Sequence, residues 1–281
     1  MRTITGSLFA LSLLTACATG HDTTAPAANE PLSGLAGSAA ITSAACGDVI
    51  VSDLRLENDL SCPGDALTVA GSAIKINLNG HTIAGAGGGM GIRVNTSQDV
   101  AIFGGTVRGF LRGIYVVGST GIVIKDNLFT QNGTGVLLEA SSGNTIKSNE
   151  ARQNSARAFM IRPNLARTVV STNNDVVENL LIDNPTGIFI ISQPGNTLKS
   201  NIISGSSVAA IDLPAPGASG NLIKDNLLTA GGAGIRFAAG WTGNTILGNT
   251  ISANVCGIQG PSAGNTLQGN TLTGNTTDFC P

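Results

Sequence analysis

Aliphatic residues in this chain come in short alternating groups, as in Ile92-Arg93-Val94, Ile114-Tyr115-Val116 and Val136-Leu137-Leu138, bounded by Gly, Asn and Ser. Alternation of this kind predicts short strands with tight turns between them, and no stretch offers the stripe of an amphipathic helix. The groups also recur. The pattern aliphatic-x-x-Asn-x-aliphatic fits Ile124-Lys125-Asp126-Asn127-Leu128-Phe129 and returns in register at Asn149, Asn179, Asn201, Asn226, Asn249 and Asn270, with His81 and Gly105 in the Asn slot of two degenerate early copies. The spacings are 24, 22, 22, 30, 22, 25, 23 and 21 residues. A second motif, Gly-aliphatic-x-aliphatic, rides in the same period at Gly91, Gly113, Gly135, Gly187 and Gly234.

Copies this short, rich in β-branched residues and Gly, cannot each hold a pair of helices, and the consensus of a leucine-rich repeat is missing. The pattern predicts an all-β fold, a single-stranded right-handed parallel β-helix of about nine to ten coils, one coil per period, with strands stacked at about 4.8 Å. The repeats resemble those of pectate-lyase-like and NosD-type exported proteins, and Ile76-Asn77-Leu78-Asn79-Gly80-His81-Thr82-Ile83 resembles the first coil of many of them. The resemblance covers residues 46–281. In such a stack each Asn is expected to pair its amide with the copies above and below, His81 to be a structural histidine, and each motif Gly to serve a turn of positive φ.

Composition narrows the reading. A chain of 281 residues with 42% hydrophobic residues, a net charge of -2 and 15 Lys+Arg can bury a large core but has no broad basic field, which argues against nucleic acid as a partner. Residues 1–16 carry Arg2 and the apolar run Leu8–Leu14, read as an export signal, and Leu14-Thr15-Ala16-Cys17 resembles a bacterial lipobox. That resemblance implies lipidation at Cys17 and contact with membrane through a lipid anchor only. Ala18, in the place of Asp, leans toward the outer membrane or cell surface. Residues 17–45, rich in Ala, Thr, Ser, Gly and Pro, are expected to be a flexible tether, and residues 46–281 the β-helix. The four remaining cysteines suit two disulfides, Cys46 with Cys62 and Cys256 with Cys280, at the two ends where strand edges need protection.

Candidate chemistry must come from outward side chains, because strand alternation sends the aliphatics inward. On the Gly-aliphatic-x-aliphatic strand one outward column runs Arg93, Tyr115, Leu137, Met160, Phe189, Asp212, Arg236, Gln259, and the next includes Asn95, Val117, Glu139, Arg162 and Ile191. The longest coil adds Arg152, Arg157, Arg162 and Arg167. Arg162-Pro163-Asn164-Leu165-Ala166-Arg167 resembles the arginine-proline-arginine motif of pectate lyases at a different spacing. Arg162 either belongs to a wall that binds sugar carboxylates or pairs with Glu139 one coil away. Trp241 is a candidate stacking platform for sugar. A further column of Lys125, Lys147, Lys199 and Lys224 stacks like charges, to be offset by Asp126, Glu178 and Asp225 or by an anionic glycan.

These residues leave three functions open. A lipid-anchored envelope protein could bind a polysaccharide, anionic if the arginines engage it, through Arg93, Glu139, Arg167, Asp212, Arg236 and Trp241. A lyase or epimerase acting on uronic acids could use Tyr115 as base and Arg162 as carboxylate partner. A non-catalytic scaffold or NosD-like maturation protein could bind another protein. A glycoside hydrolase is disfavoured because no pair of carboxylates is evident. No cofactor is expected: calcium would need a cluster of acids that the sequence does not show, and two His with three Met are poor material for copper, so no metal site is assigned.

Overall fold

The computed structural model describes residues 40–215, 219–239, 241–260 and 263–281. The expected signal peptide, Cys17 and most of the expected tether lie outside the described residues. Three parallel sheets run through the molecule. Sheet I has 11 strands, from Asp48–Ile50 to Thr277–Cys280. Sheets II and III have 10 each, from Leu54–Arg55 to Thr266–Gln268 and from Leu60–Cys62 to Thr271–Thr273. Consecutive strands fall in different sheets and every third strand pairs, so each sequence period is one coil of a parallel β-helix. Ile41, at the end of the expected tether, already bridges Leu54.

Burial follows directly from strand length. Most strands of sheets II and III have three residues and bury only the middle one, which stacks Ile102, Ile124, Ile146, Val176, Leu198, Ile223 and Ile246 into one interior column. The longer strands of sheet I bury two, such as Ile114 with Val116 and Ile188 with Ile190. Each such side chain contributes roughly 1.5–3 kcal/mol by leaving water. Phe129 and Phe159 fill the interior where sheets III and I meet, edge to face at 6.3 Å.

The bends explain the asparagines. Each is turned by one residue in the left-handed region, for example Asp126 (φ 56), Ser148 (φ 53), Glu178 (φ 57) and Ser200 (φ 55), immediately before an Asn that points inward. A non-glycine residue there is unfavourable by about 1 kcal/mol, and the Asn behind it offsets this by satisfying backbone groups that the bend leaves unpaired. Asn149 Oδ1 accepts from the Asn127 backbone N–H (3.1 Å) and Nδ2 (3.2 Å), while Asn149 Nδ2 donates to the carbonyls of Ile124 (2.9 Å) and Lys147 (3.0 Å). The Asn127 ladder predicted from the repeat is one of four among the described residues. A second joins Asn144, Asn174, Asn196, Asn221, Asn244 and Asn265. A third contains the stretch Asn132–Asn154–Asn184, and a fourth of Ser97, Ser119, Ser141 and Ser171 ends on Gln193.

The motif glycines serve a different purpose from the one their position suggests. None of Gly91, Gly113, Gly135, Gly187 and Gly234 has positive φ. A Cβ on Gly113 would stand 2.5 Å from the Gly135 carbonyl oxygen, and one on Gly187 2.5 Å from that of Ala210. Close approach of successive coils as the chain enters sheet I is what selects Gly.

Disulfides close both ends as expected. Cys46–Cys62 ties the approach to the first strand of sheet I to the first strand of sheet III, and Cys256–Cys280 fastens the last strand of sheet I to its neighbour.

Candidate functional site

The outer face of sheet I is where the registers gather chemistry. They reproduce the column Arg93–Tyr115–Leu137–Met160–Phe189–Asp212–Arg236–Gln259. Beside it run Asn95–Val117–Glu139–Arg162 on one side and Met90–Arg112–Thr134–Arg157–Thr186 on the other. Although these side chains point away from the interior, they pack on one another: Tyr115, Leu137 and Met160 are buried in a cluster of their own, flanked by Met90, Val117, Phe189 and Ile191. Such an apolar floor on an outward strand face is unlike the ordinary solvated side of a sheet.

Glu139 organises one side of this floor. Its Oε2 accepts from Tyr115 Oη (2.9 Å) and from Arg162 Nε (2.9 Å), and Arg162 Nη2 lies 2.5 Å away. The Glu139 side chain is only 8% exposed. Arg162 therefore pairs with Glu139, the ion-pair alternative of the sequence reading. Burial, and then the hydrogen bond to Glu139, push the Tyr115 phenol above its usual pKa. Asp212 is held the same way by Arg236, through Nε (2.8 Å) and Nη2 (2.6 Å), and is 1% exposed. That pairing raises the Arg236 pKa.

Three arginines of this face lack such a partner among the described residues. Arg112 lies over the Tyr115 ring, 4.8 Å from its centroid, and Arg157 over the Phe189 ring at 4.0 Å. Arg93 approaches Tyr115 from the preceding coil at 6.0 Å. Arg112 and Arg157 border a depression of about 300 Å³ whose lining includes Thr134, Leu137, Met160 and Arg162. A smaller one of about 150 Å³ adjoins Arg162, Pro163, Asn164, Leu165 and Arg167. There Asn164 Oδ1 accepts the Thr168 and Val169 N–H groups, so the inserted loop is internally braced, with Leu165 exposed. The arginine-proline resemblance is thus a loop at the rim, with Arg167 exposed on it.

Trp241 does not belong to this face. It is 1% exposed and packs in the main core. The sequence explains why: Trp241 precedes Asn244 by three residues, the inward place that Ser141, Ser171 and Gln193 hold before Asn144, Asn174 and Asn196. It cannot stack on a ligand. Arg112, by contrast, was missed, because it stands immediately before the motif Gly, outside the two columns that the alternation defined. His81 shares the Asn slot by position, yet its Nδ1 sits 3.1 Å from Asp59, outside the ladder. A backbone N–H from Thr82, together with His81, holds the Asp59 carboxyl below the usual range. The lysine column is largely neutralised from its own turns: Lys125 by Asp126 (3.7 Å), Lys147 by Glu178 (3.1 Å) and Lys224 by Asp225 (3.7 Å).

Comparison with known proteins places this geometry. The right handed beta helix region family matches residues 65–213, and the periplasmic copper-binding protein (NosD) family matches residues 166–280. No curated protein matches the sequence. Among solved structures, the periplasmic alginate epimerase AlgG is similar at 15% identity and a TM-score of 0.58, over 78% of this chain and 61% of that one. A tailspike protein of E. coli bacteriophage HK620, solved with a hexasaccharide, is similar at 12% and 0.62, over 83% and 52%. An alginate lyase from Paenibacillus sp. str. FPU-7 is similar at 17% and 0.54, over 84% and 89%. The chain thus spans about three fifths of the epimerase and about half of the tailspike. The donors that copper favours are missing from the NosD match: residues 166–280 contain no His and no Met, and both cysteines there are joined in a disulfide. No group of three His, Cys, Asp or Glu gathers among the described residues. What the match and the fold agree on is architecture: the chain belongs to the right-handed β-helix family.

Proposed function

We propose that this protein binds a polysaccharide on the outer face of sheet I as a lipid-anchored protein of the cell envelope. The observation that carries the reading is the depression on this outward face, lined by Leu137, Met160 and Thr134 and rimmed by the guanidinium groups of Arg112, Arg157 and Arg162. Pyranose rings present apolar faces and a girdle of hydroxyls, and a site with an aliphatic floor and a polar rim suits both. Relatives in fold support a polysaccharide partner, since their names describe an alginate epimerase, an alginate lyase and a tailspike holding a hexasaccharide. Two disulfides suit an oxidising compartment, and the lipobox-like Leu14-Thr15-Ala16-Cys17 supplies the anchor.

Binding is favoured over turnover by the state of Tyr115. A phenol that donates its proton to Glu139, with a raised pKa, is poorly prepared to act as a base near neutral pH, and Arg162 is occupied by the same carboxylate. The test is to incubate the purified chain with acidic and neutral polysaccharides and follow retention, mass and, by proton NMR, the configuration of the uronates. Retention with intact glycan is expected. Fragments lacking the mass of water would establish a lyase instead, an isomerised uronate of unchanged mass an epimerase, and absence of retention a scaffold that binds protein.

A further inference from the structure

The arginines of sheet I divide into two kinds. Arg162 and Arg236 are held by Glu139 and Asp212. Arg93, Arg112 and Arg157 have no carboxylate within 4.0 Å among the described residues, although they share the face where the other two are neutralised, and of the three only Arg112 and Arg157 border the depression. Arg157 Nε is buried with no hydrogen-bond partner. Desolvating a cation without giving it an anion is unfavourable, and stacking on Phe189 recovers only part of the loss.

The placement of the pair is specific. Arg112, Thr134 and Arg157 are successive members of one column, so the two backbones stand two coils apart, about 10 Å. The depression floored by Leu137 and Met160 lies between them. We propose that Arg112 and Arg157 form a two-point carboxylate clamp at the ends of this depression, so that the face takes an acidic glycan and discriminates against a neutral one with the same backbone. This rests on the glycan-binding reading above. An extended 1,4-linked glycan advances by close to one coil per sugar and turns alternate substituents the same way, so every second carboxylate of a uronate chain lying along the helix axis meets an arginine. Arginine suits the task because its planar fork grips a carboxylate through two parallel N–H bonds while its face remains stacked on a ring.

Isothermal titration of the full chain separates the clamp from the floor. The ligands are hexasaccharides of 1,4-linked galacturonate and mannuronate, each paired with the same oligosaccharide after reduction of its carboxylates to hydroxymethyl groups. At least one acidic form is expected to bind about tenfold or more tightly than its reduced form, and added salt to narrow the gap. Arg112→Gln and Arg157→Gln should each weaken the acidic ligand about tenfold and leave the reduced one nearly unchanged. Arg157→Lys, which keeps charge and packing stem, should recover only part of the loss, and thermal melts of each variant confirm folding. Equal affinity for acidic and reduced ligands, or acidic binding untouched in both glutamine variants, overturns the clamp while the glycan-binding face stands. Binding of neither form by the native protein overturns both.

Discussion

Sheets I and II present the same scaffold to solvent and use it in opposite ways. On sheet II the cations Lys125, Lys147 and Lys224 are each met by an acid drawn from a left-handed turn residue, Asp126, Glu178 or Asp225, and all six side chains are at least 36% exposed. On sheet I Glu139 and Asp212 are buried, the tyrosine is tied to one of them, and three arginines lean on aromatic rings. A strand face made only to be soluble looks like sheet II: long, flexible cations with acids in reach, worth little energetically and indifferent to detail. The sheet I face spends buried side chains on holding guanidinium groups in place, an arrangement that stability alone does not require.

The comparison predicts its largest energetic contrast at Glu139. Glu139→Ala leaves Arg162 unpaired beside Arg157 and removes the acceptor from Tyr115, and it should lower unfolding free energy by about 2–4 kcal/mol, as breaking a desolvated ion pair does. Denaturant unfolding followed by circular dichroism measures it. A loss below 0.5 kcal/mol would mean that the Glu139 network is no stronger than the pairs on sheet II.

A smaller effect is expected in the titration of Tyr115, the only tyrosine in the chain, so phenolate absorbance reports it alone. Its folded pKa lies above that of the unfolded chain, first because it is buried and then because it donates to Glu139. The sign follows. The neutral phenol's contribution to stability is fully present below the unfolded value of about 10 and is lost as pH rises through the folded pKa. Glu139→Gln should lower the native midpoint toward that of the unfolded chain without reaching it, because the burial remains. An unchanged midpoint would assign the whole shift to burial and remove Glu139 from the account.

Much of this was legible in the sequence, and the reasons it was or was not are physical. The coil period, the Asn127 ladder and the column from Arg93 to Gln259 follow from an alternation that the registers then enforce. The second ladder was harder to see because its Asn residues carry an aliphatic frame on one side only, two positions on at Ile146, Val176, Leu198, Ile223, Ile246 and Leu267, whereas the Asn127 copies have one on both sides. The motif glycines were misread because sequence shows that a side chain is absent but not whether dihedral freedom or a neighbouring carbonyl requires it. Trp241 was misplaced for a related reason: period-two alternation assigns strand residues to a face, and Trp241 sits on a bend whose inward direction is set by the ladder next to it. The pairing of Arg162 with Glu139 was anticipated as one of two outcomes, since it needs only the column order. That Arg112 and Arg157 stay unpaired depends on where the guanidinium groups turn, which no linear pattern encodes.

The smallest predicted effect lies on sheet II and completes the contrast. Lys147→Ala removes the shortest of the lysine ion pairs, 3.1 Å to Glu178, yet both groups are about half exposed and hydrated in either state. Its removal also relieves repulsion from Lys125, the next member of the column. The two terms oppose each other, and the net change should stay within about 0.5 kcal/mol. Glycan affinity should not change either, because the mutation lies on another sheet from the depression. If Lys147→Ala cost as much as Glu139→Ala, or weakened an acidic glycan as Arg157→Gln is expected to, the division between a solvated face and a recognition face would fail, and the lysine column would take the place of the arginines.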